Sequence, residues 1–187
     1  MRILAIPGSV RRDSHNARLL RHAAERAPEG VEIELWDGLK SIPPYDEDDD
    51  NEFPPRPVAE LRKAIAEADG LLFATPEYNG SVPGVLKNAV DWASRPRQST
   101  PLQNKPAAVI GATTGAFGAV WAQAELRKVL RTAGARVVEA ELPVAKVHEA
   151  VDEFGNLSID AHHDQIDAVL GALADDVKAG LELAAVA

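Results

Sequence analysis

Short apolar runs alternate with amphipathic runs along the sequence, and this alternation constrains the fold more than any other feature. Strand-like apolar runs are predicted at residues 2–7, 31–36, 70–75, 106–112 and 135–139. Apolar residues at helical spacing predict helices over 14–27, 58–68, 118–133 and 160–183, and another that begins near residue 83. Strands separated by helices are typical of a parallel sheet that helices cover on both faces.

The order of the strands predicts where a ligand would bind. Five strands joined by right-handed crossovers give a doubly wound α/β sheet with strand order 2-1-3-4-5. In that order the chain reverses direction between strands 1 and 3, and ligands bind outside the carboxyl ends of the strands there. The loops after strands 1, 3 and 4 are therefore the candidate site. We expect residues 1–187 to form a single domain.

Composition excludes several classes of function. The net charge is −9, from 29 acidic and 20 basic residues, which argues against a nucleic-acid partner. The apolar stretches are short and interrupted, so we predict neither a transmembrane helix nor a membrane partner. The first residues enter a strand pattern directly, without the regions of a signal peptide, and the chain has no cysteine. We therefore expect a cytoplasmic protein without thiol chemistry.

Two features of the sequence, an acidic segment and a pair of histidines, contain residue types that bind metals. The proline- and acid-rich residues 41–57 are interpreted as a solvated connection. The alternative is a calcium loop, but the glycine and the closing glutamate of an EF-hand are missing. His162 and His163 are adjacent, so on a helix they point about 100° apart and cannot share a metal. No metal is predicted.

The loop after strand 1 gathers hydrogen-bond donors where a helix begins. Ser9, Ser14 and Asn16 carry polar groups, and Arg11 carries a guanidinium that can contact two oxygens at once. A helix N-terminus favours an anion, so this set suits a phosphate. The alternative is a capped helix with its arginines in solvent. Because neither G-x-G-x-x-G nor G-K-[ST] is present, a terminal phosphate monoester fits better than a dinucleotide or a P-loop site.

The loop after strand 3 has an irregular backbone suited to a planar ring. Two prolines and two glycines lie within residues 76–84, and such a loop exposes backbone N–H groups. These groups and the Asn79 amide can face ring carbonyls and nitrogens, and Tyr78 offers a flat apolar surface. The alternative is that Pro83 and Gly84 only begin a helix while Tyr78 packs.

The loop after strand 4, residues 113–118, contains two glycines and two hydroxyls. From the residues alone, a helix entry and a ligand site are equally supported. Thr114, Gly115 and Phe117 lie in this loop.

Two motifs together resemble the NADPH-dependent FMN reductase family, which includes bacterial quinone, chromate and azo-dye reductases with a flavodoxin-like fold. The first is G-S-x-R-x-x-S-x-N at residues 8–16, and the second is P-E-Y-N-G-S-x-P-G-x-L-K-N-A-x-D-W at residues 76–92. The resemblance spans residues 2–138 and is looser beyond. Where the family often has a second glycine after Gly118, this chain has Ala119.

The resemblance implies a cofactor, an electron donor and a set of contacts. It places the FMN phosphate on Ser9, Arg11, Ser14 and Asn16. It places the isoalloxazine ring against Pro76, Glu77, Tyr78, Asn79 and Gly80, with Thr114 and Gly115 on the other side. NAD(P)H would deliver electrons through FMN to a flavin, quinone, azo or metal-oxyanion acceptor. No catalytic side chain is expected, because the flavin carries the chemistry.

The resemblance also implies a homodimer or homotetramer with the site near a subunit boundary. Trp92, Trp121 and the loop before helix 2 are the candidate interface residues. Two other functions stay open: an electron-carrier flavodoxin without NAD(P)H activity, and a flavin-free regulatory or scaffold domain. The −9 charge suits a carrier, but carriers usually have a Thr/Ser/Gly-rich phosphate loop rather than one with Arg11.

Overall fold

A parallel sheet organises the protein, here described from a computed structural model for residues 1–153 and 156–186. Its order, β2-β1-β3-β4-β5, confirms the predicted strand order and the flavodoxin-like class, and a short β6 pairs with β4. The strands are β1 (Arg2–Pro7), β2 (Glu32–Leu35), β3 (Gly70–Thr75), β4 (Pro106–Ala112), β5 (Arg136–Val137) and β6 (Pro143–Val144). Every residue of β3 and β4 is buried, as expected of central strands covered on both faces.

Five helices cover the two faces of the sheet. They are α1 (His15–Glu25), α2 (Arg56–Glu67), α3 (Gly84–Ala93), α4 (Val120–Thr132) and α5 (His163–Val186). Apolar residues of α1 and α5 pack on one face, and those of α2, α3 and α4 form a second core on the other. The helices begin and end within a few residues of the predicted bounds.

The edge of the sheet beyond β4 differs from the prediction. One strand was expected at residues 135–139, but β5 has two residues that pair with the start of β4, and β6 pairs with its end. Between β5 and β6 the chain is not part of a strand of the sheet. Two arginines of α4 hold this excursion: Arg127 pairs with Glu141, and Arg131 pairs with Glu139 at 2.6 Å. The predicted five-stranded sheet was therefore short by one strand.

The acid-rich residues 41–57 form an anchored connection that packs against α2 and α3. The Pro43 carbonyl accepts a hydrogen bond from Trp92 Nε1 at 2.9 Å, and Asp50 pairs with Arg62 at 2.7 Å. Trp92 is fully buried, so it is unavailable to a subunit interface. Within residues 1–153 and 156–186, no helix is long and apolar enough to cross a bilayer. The same part of the chain has no group of acidic or histidine side chains placed to hold a metal.

Three loops leave the carboxyl edge of the sheet side by side because their strands are neighbours. We name them the β1 loop (residues 8–14), the β3 loop (residues 76–83) and the β4 loop (residues 113–119). They lead into α1, α3 and α4 respectively, and they occupy the edge where a doubly wound sheet binds ligands.

Candidate functional site

A close approach at Gly8 joins the β1 loop to the end of β3. The Gly8 N–H donates to the Ala74 carbonyl at 2.7 Å. A Cβ atom at position 8 would lie 2.7 Å from Leu86 Cδ2, which is closer than carbon atoms approach. The Ala74 carbonyl oxygen would lie 3.0 Å from the same Cβ, so a larger residue would require the Leu86 side chain or the β1 loop to shift.

Asn16 joins the start of α1 to the end of β4. Its buried side chain donates from Nδ2 to the Ala112 carbonyl, and its Oδ1 accepts from the Ala112 N–H, both at 2.9 Å. This paired hydrogen bond fixes where the β1 loop lies relative to the β4 loop. The sequence-based assignment of Asn16 to a phosphate stays a prediction, since the amide engages the backbone here.

Glu77 joins the β3 loop to α4. The N-cap of α4 is Ala119, which has φ 59° and a side chain that cannot cap a helix. Glu77 Oε2 instead accepts from the N–H groups of Trp121 and Ala122, both at 3.1 Å. A carboxylate at a helix N-terminus also interacts favourably with the helix dipole. Glu77 therefore positions the β3 and β4 loops relative to each other.

The tip of the β3 loop is a tight hairpin. Tyr78 and Ser81 exchange two backbone hydrogen bonds at 3.1 Å, and Asn79 and Gly80 have φ of 55° and 73°. Two central residues with positive φ are typical of a type I′ turn, for which Asn-Gly is well suited. Glu125 of α4 fixes the turn by accepting from the Ser81 hydroxyl at 2.6 Å. The turn leaves the Asn79 and Gly80 N–H groups without acceptors among the described residues.

The β1 loop combines a helix cap with free donors. Ser14 is the N-cap of α1, and its Oγ accepts from the Ala17 N–H at 3.2 Å, which is the cap that the alternative interpretation expected. A hydroxyl that accepts this bond still has its own hydrogen to donate to a ligand. Ser9 Oγ accepts from the Arg11 N–H at 3.3 Å. The Arg11 guanidinium is exposed and has no ion partner within the described ranges.

His15 lies at the start of α1, close to the cations Arg18 and Arg11. Its Nδ1 is buried and has no hydrogen-bond partner among the described residues. Burial, and then the nearby charges of Arg18 and Arg11, hold the pKa of His15 below its ordinary value. The same field that disfavours a proton on this imidazole favours an anion at the loop.

The β4 loop is supported from the far side by β6 and the turn after it. The Lys146 N–H donates to the Gly115 carbonyl at 2.9 Å, and the Val147 N–H donates to the Thr113 carbonyl at 3.0 Å. Thr114 and Gly115 themselves are exposed. This support was missed by sequence reasoning, because β6 lies in the looser part of the resemblance.

Exposed aromatic side chains line the rim beside the β3 and β4 loops. Tyr78 is 54% exposed, Phe117 62% and Trp121 52%. The Phe117 and Trp121 rings meet edge to face with their centroids 5.0 Å apart. Clustered exposed aromatics indicate a surface that contacts a ligand or another protein.

These groups fit a flavin mononucleotide. The β1 loop offers a guanidinium, hydroxyls and a helix N-terminus to a phosphate, and the hairpin offers free N–H groups to ring carbonyls. The nearby Glu77 carboxylate is already bonded to α4, so it does not compete for those donors. Fold and site together define a flavodoxin-like protein that binds FMN.

The chain belongs to the NADPH-dependent FMN reductase family, which matches residues 1–149. It is 43% identical to an NAD(P)H-dependent FMN reductase of Pseudomonas aeruginosa over 92% of this chain and 93% of that one. A 2-hydroxy-1,4-benzoquinone reductase of a Burkholderia species is 46% identical over 69% of each chain. The solved structure of FerB, an NAD(P)H:acceptor oxidoreductase from Paracoccus denitrificans, has a TM-score of 0.82. Its identity is 32%, over 95% of this chain and 97% of FerB.

The protein is thus an FMN-dependent NAD(P)H oxidoreductase that passes electrons to a small-molecule acceptor. This confirms the predicted family, cofactor and reaction class. Neither the electron-carrier nor the flavin-free alternative gains support from these relatives.

The capping role of Glu77 was missed by sequence reasoning, which placed this residue only against the flavin. A signal for it is present in the sequence. The helix entry Gly118-Ala119 offers no capping side chain, so the first N–H groups of α4 need an acceptor from elsewhere.

Proposed function

We propose that the β1 loop binds the FMN phosphate while the isoalloxazine ring lies across the β3 and β4 loops. The main support for this proposal is that two sets of unpaired hydrogen-bond donors lie at the same edge of the sheet. The unpaired Arg11 guanidinium lies in the first loop, and the free N–H groups of Asn79 and Gly80 lie in the second. The Gly8–Ala74 hydrogen bond joins the strands from which these loops emerge.

Each predicted contact has a role in this proposal. Ser9, Arg11 and Ser14 bind the phosphate together with the first N–H groups of α1, and Asn16 holds these groups in place. Buried Pro76 forms the base of the ring site, and Glu77 fixes its frame through α4. The ring edge contacts Tyr78, Asn79 and Gly80 on one side and Thr114 and Gly115 on the other.

Bound FMN supplies the redox chemistry, in which two electrons from NAD(P)H reach the acceptor. The chain's own contribution is to bind and orient, which agrees with a site that lacks an acid–base pair. The free N–H groups of Asn79 and Gly80 would stabilise negative charge on the ring carbonyls and so favour reduction. NAD(P)H and the acceptor would use the exposed side of this site in turn.

A quinone is the proposed acceptor class. Several relatives are named quinone reductases, and the aromatic rim of Tyr78, Phe117 and Trp121 suits a planar apolar molecule. We further propose that residues 1–187 form one FMN-binding domain and that two chains associate through this rim. A homotetramer built from such dimers and the cytoplasmic location stay predictions.

The test is an absorbance spectrum of the protein after FMN is added and the excess removed. We expect a retained flavin band that disappears with NADPH under anaerobic conditions and returns when a benzoquinone is added. Failure to retain FMN, together with no NADPH oxidation in the presence of quinone, would contradict the proposed function. A retained band that neither NADPH nor NADH removes would contradict the reductase activity and favour a carrier.

Arg11→Ala tests the phosphate assignment. A charge-assisted hydrogen bond contributes about 1.5–3 kcal/mol, so the FMN dissociation constant should rise roughly 10- to 100-fold. Arg97→Ala is the matched control, because Arg97 is exposed and lies between α3 and β4 at the opposite edge of the sheet. If the Arg11 variant and the wild type had equal FMN dissociation constants, the assignment of the FMN phosphate to Arg11 would be wrong.

A further inference from the structure

A second group of cations lines a cleft beside the β1 loop. The cleft has a volume of about 400 Å³ and lies between α1 and the segment that follows β2. Its cationic residues are Arg11, Arg12, Arg21 and Lys40, against one acid, Asp37. We call it the basic cleft. Arg21 follows Ala17 by one helical turn, so both project from the same side of α1.

These cations are not balanced by the protein itself. None of the four forms an ion pair within the part of the chain that the structure describes, although acids outnumber bases by 29 to 20. Elsewhere arginines do find carboxylates, as with Arg62 and Asp50 at 2.7 Å. Like charges that face one cleft repel each other, so this grouping indicates an anionic ligand rather than a contribution to stability.

The cleft has room and surface for more than a lone anion. Trp36 forms part of its wall and is half-buried. Its ring lies so close to the backbone at Gly38 that a Cβ there would clash with Cζ2 of the ring. A ring held in this way offers a preformed flat surface to a nucleobase, and Asp37 beside it can accept hydrogen bonds.

Another cleft of about 410 Å³ also has four cations and one acid in its lining, but it differs in position and in having its acid paired with a cation. It lies between the carboxyl ends of α3 and α4 and is lined by Arg97 and Lys128 among others. There Lys87 pairs with Asp91 at 2.7 Å. This cleft lies at the amino edge of the sheet, away from the strand ends where such folds bind ligands. It therefore serves as a control rather than as a candidate.

We propose that the basic cleft binds the 2′-phosphate and adenine of NADPH and thereby makes the enzyme prefer NADPH over NADH. This rests on the proposed function, because it assigns the distal end of the dinucleotide whose nicotinamide reaches the flavin. The 2′-phosphate is a compact dianion, which Arg12, Arg21 and Lys40 contact from both walls of the cleft. NADH shares the anionic pyrophosphate but lacks the 2′-phosphate, so it would gain less from these cations.

The basic cleft is distinct from the FMN phosphate contacts although it adjoins them. Ser9 and Arg11 belong to both, whereas Arg21 lies two helical turns into α1 and Lys40 lies beyond β2. Replacing Arg21 and Lys40 therefore leaves the loop that holds FMN intact. Both residues are exposed, so their loss should not affect folding.

The experiment compares Arg21→Ala/Lys40→Ala with Arg97→Ala/Lys128→Ala, which removes the same two residue types from the control cleft. The probe is 2′,5′-ADP, with 5′-AMP as the reference that lacks the 2′-phosphate, titrated calorimetrically into FMN-loaded protein. We expect the wild type to prefer 2′,5′-ADP. The first variant should bind it roughly tenfold more weakly, with KM for NADPH raised more than KM for NADH.

Two results would overturn the inference. One is a wild type that binds both probes equally, and the other is an equal loss in both double variants, which would indicate the long-range effect of charge alone. FMN retention is measured on every sample. A protein that retains FMN and oxidises NADPH but shows either result contradicts the cleft assignment alone, whereas one that retains no FMN contradicts the proposed function.

Discussion

At the scale of single residues, the hydrogen bonds of Asn16 decide whether the site is formed before any ligand arrives. The side chain is 2% exposed and bonds both backbone groups of Ala112. In Asn16→Ala, these groups lose partners in a buried place, which costs about 1–3 kcal/mol for each group left unsatisfied. We expect the apoprotein to lose about 2–4 kcal/mol of unfolding free energy, measured by urea denaturation without FMN.

Ser14→Ala is the comparison for this prediction. Ser14 neighbours Asn16 in sequence and is also buried, but its loss removes a helix cap worth about 1 kcal/mol. If Asn16→Ala weakened FMN binding while leaving the apoprotein as stable as the wild type, Asn16 would be a direct phosphate ligand. The original sequence-based assignment would then be the correct one.

Residue types and their order predicted which side chains could donate hydrogen bonds, but not which of them bond to the protein itself. Ser9, Arg11 and Ser14 were identifiable because a strand, a glycine turn and a helix start follow one another locally. The hydrogen-bond partner of Asn16 lies 96 residues away, and those of Glu77 lie 44 and 45 residues away. The local sequence around either residue therefore gives no sign of these contacts. Non-local contacts of this kind come from the fold, and a linear pattern does not contain them.

At the scale of elements, two histidines connect α1 to the start of α5. The Nε2 atoms of His22 and His163 are 3.2 Å apart, so one ring donates a hydrogen bond to the other. Burial, and then the charge of His163, hold the pKa of His22 below its ordinary value of 6.5. Glu25 and Asp160 oppose this shift, and Arg26 adds to it. The folded state therefore resists a proton that the unfolded state accepts.

This gives the pH dependence a definite sign. Well above about pH 6.5 His22 is neutral in both states and makes no difference. As the pH falls through that value the unfolded chain takes up the proton first, so unfolding becomes easier until the folded-state pKa is also passed. We expect the wild type to lose more unfolding free energy than His22→Gln between about pH 7.5 and about pH 5.5.

Urea denaturation at the two pH values checks this prediction, with His148→Gln as the control. His148 is exposed and lies outside α1 and α5, so its variant should follow the wild type. Equal pH dependence in the wild type and the His22 variant would show that the histidine contact does not carry the effect.

The elements themselves were largely predictable, with one exception that has a physical cause. One strand was predicted at residues 135–139, whereas the structure has the short strands β5 and β6. The two are separate because Arg127 and Arg131 of α4 bind the polar residues between them. The basic cleft was missed for a similar reason. Arg21 and Lys40 look like solvent-exposed cations until the fold places them on opposite walls.

At the scale of the whole molecule, the sheet joins two apolar cores into one body, while the aromatic rim remains uncovered on its surface. Among the described residues, large aromatic side chains are exposed at the rim, which includes Trp121, and in the loop before α2, where Phe53 is 84% exposed. A contact surface between subunits needs apolar area that stays dry on association. Trp121 has a ring partner in Phe117 and adjoins the flavin loops, so we place the dimer contact there.

We predict that the wild type has the mass of two or four chains of 20.0 kDa each. We predict that the Trp121→Glu variant is a monomer. A carboxylate on each copy would be desolvated and set against its symmetry mate, which disfavours association. Light scattering coupled to size exclusion measures the masses, with Phe53→Glu as the matched control. If Phe53→Glu separates the subunits instead, the interface lies at the loop before α2, and a wild type of 20.0 kDa would contradict the predicted oligomer altogether.

Because the rim borders the proposed ring site, a monomeric Trp121 variant should also bind FMN less tightly. A monomer with unchanged FMN affinity would mean that each chain completes its site alone.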